Sequence, residues 1–465
     1  MFSRIAVYRK NCRGVRFSRA GIAFAALLLW LGITLAANAP AEQPAQPVFR
    51  SPDRRPHHDD ARLKELGIAS FESKHLKLYT DVSAEKVRTV LPAVDAAYDA
   101  LVDYFGPLPP NPKRTEFQVT GYLMADKALF RRSGLLPEDL PPFLNGRHHG
   151  QEFWVNEQET DYYRRHLVIH EMTHCFMFSF PGVHIPGWYQ EGMAELFGTH
   201  RIDEHGRHEF RVMPDRPEHF DGLGRIPIIR TEIAHGRWKS LEDLDGLTPT
   251  EFVNNTAYAW SWAACALLDG HPRYSLRFRE LGKHLQGDEF PSTRIRLFTA
   301  DLPELHTDWA LFTHQLQFGY DLARAAIDFE NGKPLRPGEA SPDLSVAANR
   351  GWQASGVSVQ QGHKYEIVAT GDVTLANTPK PWISQPQGIS IVYSEGHPIG
   401  TLLAAVRGKP LVDSTEETML KQIVVGRNAT FVAGTTGTLY FRINDLWGSL
   451  ADNAGQYRVV VRASR

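Results

Sequence analysis

Cysteine is scarce in this chain, with three in 465 residues, at positions 12, 175 and 265. Cys12 sits in an N-terminal segment that reads as removable. A mature chain would then keep only Cys175 and Cys265, and both one disulfide and two buried thiols stay open for that pair. A charge excess is lacking too: 51 basic residues face 53 acidic ones, for a formal net charge of -2. This balance excludes a nucleic-acid binder or a polybasic membrane-surface protein, and no long acidic or basic tail appears. There is no internal repeat. What is present is ordinary globular composition, 42% hydrophobic and 22% charged, enough for a sizeable core and two or three domains.

The first forty residues differ in kind. "MFSRIAVYRKNCRGVRFSRA" carries several Arg and Lys and no acid, and "GIAFAALLLWLGITLAANAPA" follows as an apolar run ending in small residues. That is an export signal. Ala39 and Ala41 satisfy the small-x-small cleavage pattern, so residues 1–41 are either a cleaved signal peptide or an uncleaved N-terminal membrane anchor. The chain is expected to be exported, to the periplasm, the cell surface or the medium. Residues 42–61 are rich in Pro, Gln and charge with no apolar period, and read as a linker.

Order is expected from about residue 62. "HLKLYTDV" and "EFQVTGYLMAD" read as strands with the amphipathic run "SAEKVRTVLPAVDAAYDALVDYF" as a helix between them, and "GQEFWVNEQ" as a further strand. Helical spacing dominates again from about 257 to 330, in "AYAWSWAACALLDG" and "DWALFTHQLQFGYDLARAAIDFENG". Composition shifts across 334–344, read as a second linker. From 345 to 465 short strands punctuated by Gly, Asn, Asp and Pro predict an all-β domain. The expected fold class is therefore multidomain, an α+β domain over 62–333 followed by an all-β sandwich.

Chemistry concentrates in "HLVIHEMTHCFMFSFPGVHIPGWYQEGMAE", residues 166–195. His170 and His174 stand four apart on a helical pattern, so both imidazoles leave one face a turn apart and can share one zinc ion. Glu171, beside them, is placed to take a proton from water; the set is the His-Glu-x-x-His arrangement of zinc hydrolases. Pro181, Gly182, Pro186 and Gly187 then permit a reversal, and "WYQEGMAELF" resumes helical spacing. An antiparallel return brings Glu191 back over the first helix as a third ligand. Glu195, one turn on, is placed to hold a ligand imidazole through its other ring nitrogen.

At these residues the sequence resembles the gluzincin metallopeptidases, above all the aminopeptidase-like branch, with "HEMTH" and "EGMAE" standing for its two motifs. The resemblance implies a zincin-like domain, Zn2+ as cofactor, and a tyrosine that stabilises the transition state at the start of a later helix. Tyr258 in "NNTAYAWSWAACALLDG" fits that place. A hydroxyl there would donate to an oxyanion that exists only in the transition state. The Gly-Ala-Met-Glu-Asn stretch with which the aminopeptidases hold a substrate amino terminus is lacking. Glu152 in "GQEFWVNE" is the one substitute, and an endopeptidase laying its substrate along this strand is the better expectation. His166 shares the motif face but lies two turns from His174, too far for the same ion, and reads as structural. His148, His149, His184, His200, His205 and His208 fall in loop-like stretches and read as solvated, with His184 near enough to reach substrate.

The β region has its own resemblance. "LYFRINDLWGSLADNAGQYRVVV" is similar to the calcium loop of the galactose-binding PA-IL type lectins, which implies Asp445, Ser449, Asp452 and Asn453 as oxygen ligands for Ca2+. Gln387 in "QPQG" matches a sugar-contacting Gln of those lectins, but Ser384 stands where they carry a His. The combined expectation is an exported zinc metallopeptidase acting on peptide or protein, its β domain attached to glycan or cell-surface polysaccharide. The rival is a non-catalytic glycan-binding or adhesion protein with a structural zinc fold.

Overall fold

The computed structural model describes residues 48–408 and 417–464. The export segment, 1–41, lies outside them. Among the described residues no helix is long and apolar enough to cross a membrane.

A five-stranded sheet begins the chain: β1 (Ala69–Glu72), β2 (Leu76–Thr80), β3 (Val119–Met124), β4 (Gly146–His149) and β5 (Glu152–Asn156), in the order β1-β2-β3-β5-β4. Strands β2, β3 and β5 are parallel, while β1 and β4 close the two edges antiparallel. The crossover between parallel β2 and β3 is made by helix α1 (Val90–Phe105), as such a connection requires. Every residue of β3 is buried because both faces of the sheet are covered. Val119 and Leu123 join the main core, with Val94 and Leu101 of α1. Tyr122 and Met124 meet an outer cluster with Tyr79, Leu136 and Trp154.

The linker expected over 42–61 needs correction where it is described. From Val48 on, the chain straps the sheet. Arg50 is buried, donates to the Thr115 carbonyl at 2.8 Å and lies over the Phe117 ring, and His58 Nε2 meets the Tyr122 hydroxyl at 2.7 Å. The strand carrying Glu152 is also not the edge; β4 is, a strand not anticipated from "NGRHHG" because a four-residue strand holding two His and two other polar or small residues has no apolar alternation to read.

Below the sheet run α2 (Asp161–Met177) and α3 (Gly187–Gly198), with α4 (Arg225–Ala234), α5 (Asn255–Gly270) and α6 (Leu302–Gln315) beyond them. Thr160 caps α2, its hydroxyl accepting from Tyr163 N at 3.1 Å. The helix stops before "SFPG", where Gly182 takes φ +66° to turn the chain, and Pro186 starts α3 from an extended backbone. Helix α6 ends at Gln315 rather than running on to 330; only a short turn, Leu322–Ala325, follows.

Among the described residues, His200–Ile202 and His208–Phe210 form a two-stranded ribbon, and the strands from Lys333 on form two six-stranded sheets. In strand Lys364–Thr370 buried and exposed residues alternate strictly. Strand His397–Gly408 instead buries eight residues in a row. Leu402, Ala404 and Val406 face the core between the two sheets. Leu403 and Ala405 face the other way, into the core that also holds Phe312 of α6. The boundary at 334–344 is likewise built in, since Lys333 and Pro334 pair with Val357 and Ser358, and Ser341 bonds to Val461. From Val48 onward the chain is one compact unit.

Candidate metal centre

Helix α2 presents His166, His170 and His174 on successive turns of one face, and α3 returns antiparallel against it. His170 Nε2 and His174 Nε2 lie 3.0 Å apart. Glu191 Oε2 is 3.1 Å from the second and 3.4 Å from the first. A tetrahedral zinc with bonds of about 2.0–2.1 Å sets its ligand atoms roughly 3.3 Å from one another. The three donors thus form a triangle of the size that one such ion requires.

The electrostatics agree. Burial lowers the His170 pKa, but the Glu191 and Glu195 carboxylates outweigh it and bring it up to about 10. Burial raises Glu191, and the His174 and His170 rings more than offset that, holding it well below the usual carboxylate range. A field this negative favours a cation between the groups, whether proton or metal.

Glu195 lies behind the triangle, its Oε1 3.3 Å from His170 Nδ1. Arg225, at the start of α4, grips it with Nε at 2.8 Å and a terminal nitrogen at 2.7 Å. His166 Nε2 reaches its Oε2 at 3.2 Å. His166 therefore stands outside the triangle and is bonded to Glu195. Burial opposes the Glu195 charge, and Arg225 and then His166 outweigh burial and keep it ionised.

In front lies a cleft of about 890 Å³, lined by His170, Glu171, His174, Glu191, Tyr258 and the edge strand β4. Gly146 of β4 leaves the space that Glu171 fills: a Cβ there would collide with the carboxylate. His148, expected to be solvated, instead stacks on His174 with ring centroids 4.4 Å apart, its Nδ1 3.6 Å from Glu171 Oε2. Tyr258 stands in the first turns of α5, where Asn254 caps the helix, with its ring 6.0 Å from that of His170. Burial and then the Glu191 and Glu171 charges push its hydroxyl pKa up, so it stays a proton donor.

Other expectations land elsewhere. Glu152 accepts from the Tyr122 hydroxyl at 2.7 Å, beside the outer cluster, and is not among the residues lining the cleft. His184 is exposed and meets Asp288. His200 is buried and stacks on Tyr162, with only its burial, not its sequence neighbours, marking it out. Cys175 and Cys265 are buried free thiols.

In the β region Asp445 and Asn453 come together, but through a hydrogen bond, Nδ2 to Oδ2 at 2.9 Å. The other Asp445 oxygen accepts from Leu446 N. Asp452 is exposed, and Ser449 opens a short helical turn, Leu450–Asp452. The buried Arg442 guanidinium donates to the Asp445 carbonyl at 3.1 Å, so a fixed positive charge already stands at this loop. Gln387 is exposed and accepts from Arg427 at 2.7 Å.

No family model and no curated protein matches this chain. Among solved structures, the EclA N-terminal domain, a PllA-like lectin, aligns with 27% of this chain and 98% of its own at 21% identity and a TM-score of 0.21. Aeromonas hydrophila PliG, a periplasmic lysozyme inhibitor of g-type lysozyme, aligns with 30% of this chain and 97% of its own at 8% identity and a TM-score of 0.17. Likenesses this slight carry no argument about function.

Proposed function

We propose that the chain is a zinc-dependent peptide hydrolase of the gluzincin kind, exported by its N-terminal segment. What supports this is one observation above all: His170, His174 and Glu191 form a triangle of zinc dimensions on the wall of a cleft that also presents a free carboxylate and a tyrosine hydroxyl. Three protein ligands leave a fourth position open, the pattern of catalytic rather than structural zinc.

A zinc ion held there supplies Lewis acidity toward a water and a carbonyl oxygen. The chain does the rest. Glu171 accepts the proton of the attacking water on its carboxylate and delivers it to the departing amine, so acid and base are one group used twice. Tyr258 donates its hydroxyl hydrogen to the oxyanion that forms on the attacked carbonyl. Strand β4, as the free edge of the sheet along the cleft, offers unpaired backbone groups to an extended substrate. Among the described residues the acids lining the cleft are Glu171, Glu191 and Glu195, and with the roles of base, ligand and support given to them none is left over for a substrate amino terminus, which favours cleavage at internal bonds.

Metal analysis and hydrolysis of a broad peptide library by the full chain test this reading. The wild type is expected to carry one zinc and to lose activity to a chelator. Glu171→Gln should keep the zinc and lose roughly 10²–10⁴-fold in rate. A zinc-loaded wild type that cleaves nothing in the library would sink the proposal and leave a structural metal.

A further inference from the structure

We infer that Arg225 is the positioning residue that fixes the metal triangle, by clamping Glu195 against His170. This rests on the zinc reading above and adds a residue that neither sequence motif contains.

The two oxygens of Glu195 are shared out completely. Oε1 takes an Arg225 terminal nitrogen at 2.7 Å and faces His170 Nδ1 at 3.3 Å; Oε2 takes Arg225 Nε at 2.8 Å and His166 Nε2 at 3.2 Å. A two-pronged guanidinium bond fixes the plane of a carboxylate as well as its position, which a single contact cannot do. Once that plane is fixed, the oxygen facing His170 cannot swing away. The His170 ring is then held with its other nitrogen toward His174 and Glu191.

Packing holds the arrangement in place. Arg225 is 3% exposed and Glu195 is 1% exposed, so the pair is buried, with the Tyr163 hydroxyl as a further partner of the guanidinium. Room for the third member is made by Gly198, where a Cβ would come within 2.8 Å of the His166 ring. Removing the guanidinium leaves a buried carboxylate whose opposite charge is gone, with two imidazoles as its remaining neighbours. Rotation of Glu195 toward His166 would then free His170. The same guanidinium lies 5.9 Å from the centre of the Tyr258 ring, so it also packs against the residue given to the oxyanion. Groups that orient a ligand imidazole typically contribute roughly 10–100-fold to metal affinity.

The test uses the full chain and reads zinc dissociation constants by competition with a chromophoric chelator. Arg225→Met is expected to weaken zinc by roughly 10–100-fold. Arg225→Lys, which keeps the charge but only one prong, should recover part of that loss. In a Glu195→Gln background Arg225→Met should add almost nothing, because its effect runs through that carboxylate. Wild-type affinity in Arg225→Met, or an equal loss in both backgrounds, overturns the inference. If Arg225→Met does not fold, Arg225→Lys decides alone: unchanged zinc affinity overturns the clamp, and a several-fold loss supports it. A wild type that binds no zinc overturns the metal reading itself, which separates the two failures.

Discussion

Glu171 and Glu195 are two glutamates near one cleft, and their surroundings give them opposite work. Glu195 is saturated by Arg225, His166 and His170, so it stays charged and still. Among the described residues Glu171 has one ionic neighbour, His148 Nδ1 at 3.6 Å, and space kept open by Gly146. In the proposed hydrolysis the base must gain and lose a proton each turnover, a role that suits the less committed carboxylate. Tyr258 is likewise uncommitted: among the described residues His170, Phe252 and the Arg225 guanidinium meet its ring rather than its hydroxyl. A hydroxyl donating only to the developing oxyanion affects the chemical step and not ground-state binding. Tyr258→Phe should therefore cut kcat by roughly 10²–10³-fold with little change in KM. Zinc content should be unchanged; its loss, or a rise in KM alone, would give the tyrosine a packing role.

At the scale of elements, the site depends on α3 lying close to both α2 and α5. Gly192 permits the second approach: a Cβ there would meet Ser261 O at 2.5 Å and Cys265 Sγ at 2.6 Å. Both are on the neighbouring helix, and one is backbone, which cannot yield cheaply. Gly192→Ala is expected to destabilise the fold by about 1–3 kcal/mol through overpacking, read as a lower urea midpoint with an unchanged m-value. An unchanged midpoint would mean the helices have slack to separate. The same elements show what the sequence made legible. His170, His174, Glu191 and Glu195 were readable because helical spacing and one reversal bring them together within thirty residues. His148 and Arg225 were not. Each arrives from its own element through long-range packing, and neither the first His of "RHHG" nor the Arg before "IPII" has a periodic partner to announce it. For the same reason β4 and the strap from Val48 went unread, whereas the strictly alternating Lys364–Thr370 was plain.

Over the whole molecule, the helical and β portions meet through a buried junction rather than a hinge. Tyr320 stacks on Trp447, Trp352 joins the helical core, and Arg407 from the sandwich lies within 3.5 Å of Glu304 on α6. Asp308, also on α6, is buried at this junction, accepting from the Tyr274 hydroxyl at 2.6 Å with His271 Nε2 at 3.6 Å. Burial pushes its pKa up to about 7, against the Tyr274 bond and the Arg273 and Arg407 charges, with Glu304 adding to the rise. A carboxyl raised in the folded state stabilises the fold most fully below its unfolded pKa of about 4. Between there and about 7 the unfolded chain has lost that proton while the folded chain still holds it, so stability falls as pH rises and levels off above. Asp308→Asn keeps a partner for Tyr274 and cannot titrate. The wild type should therefore lose stability relative to Asp308→Asn across pH 4 to 7, on the order of a few kcal/mol, as measured by urea unfolding at each pH. Parallel profiles for the two proteins would mean that Asp308 ionises normally and the junction is wetter than its packing indicates. A divergence seen by probes in both portions, at one midpoint, would show that a single buried carboxyl on α6 reports on the cooperative unfolding of the sandwich as well as the helices, as a shared core requires.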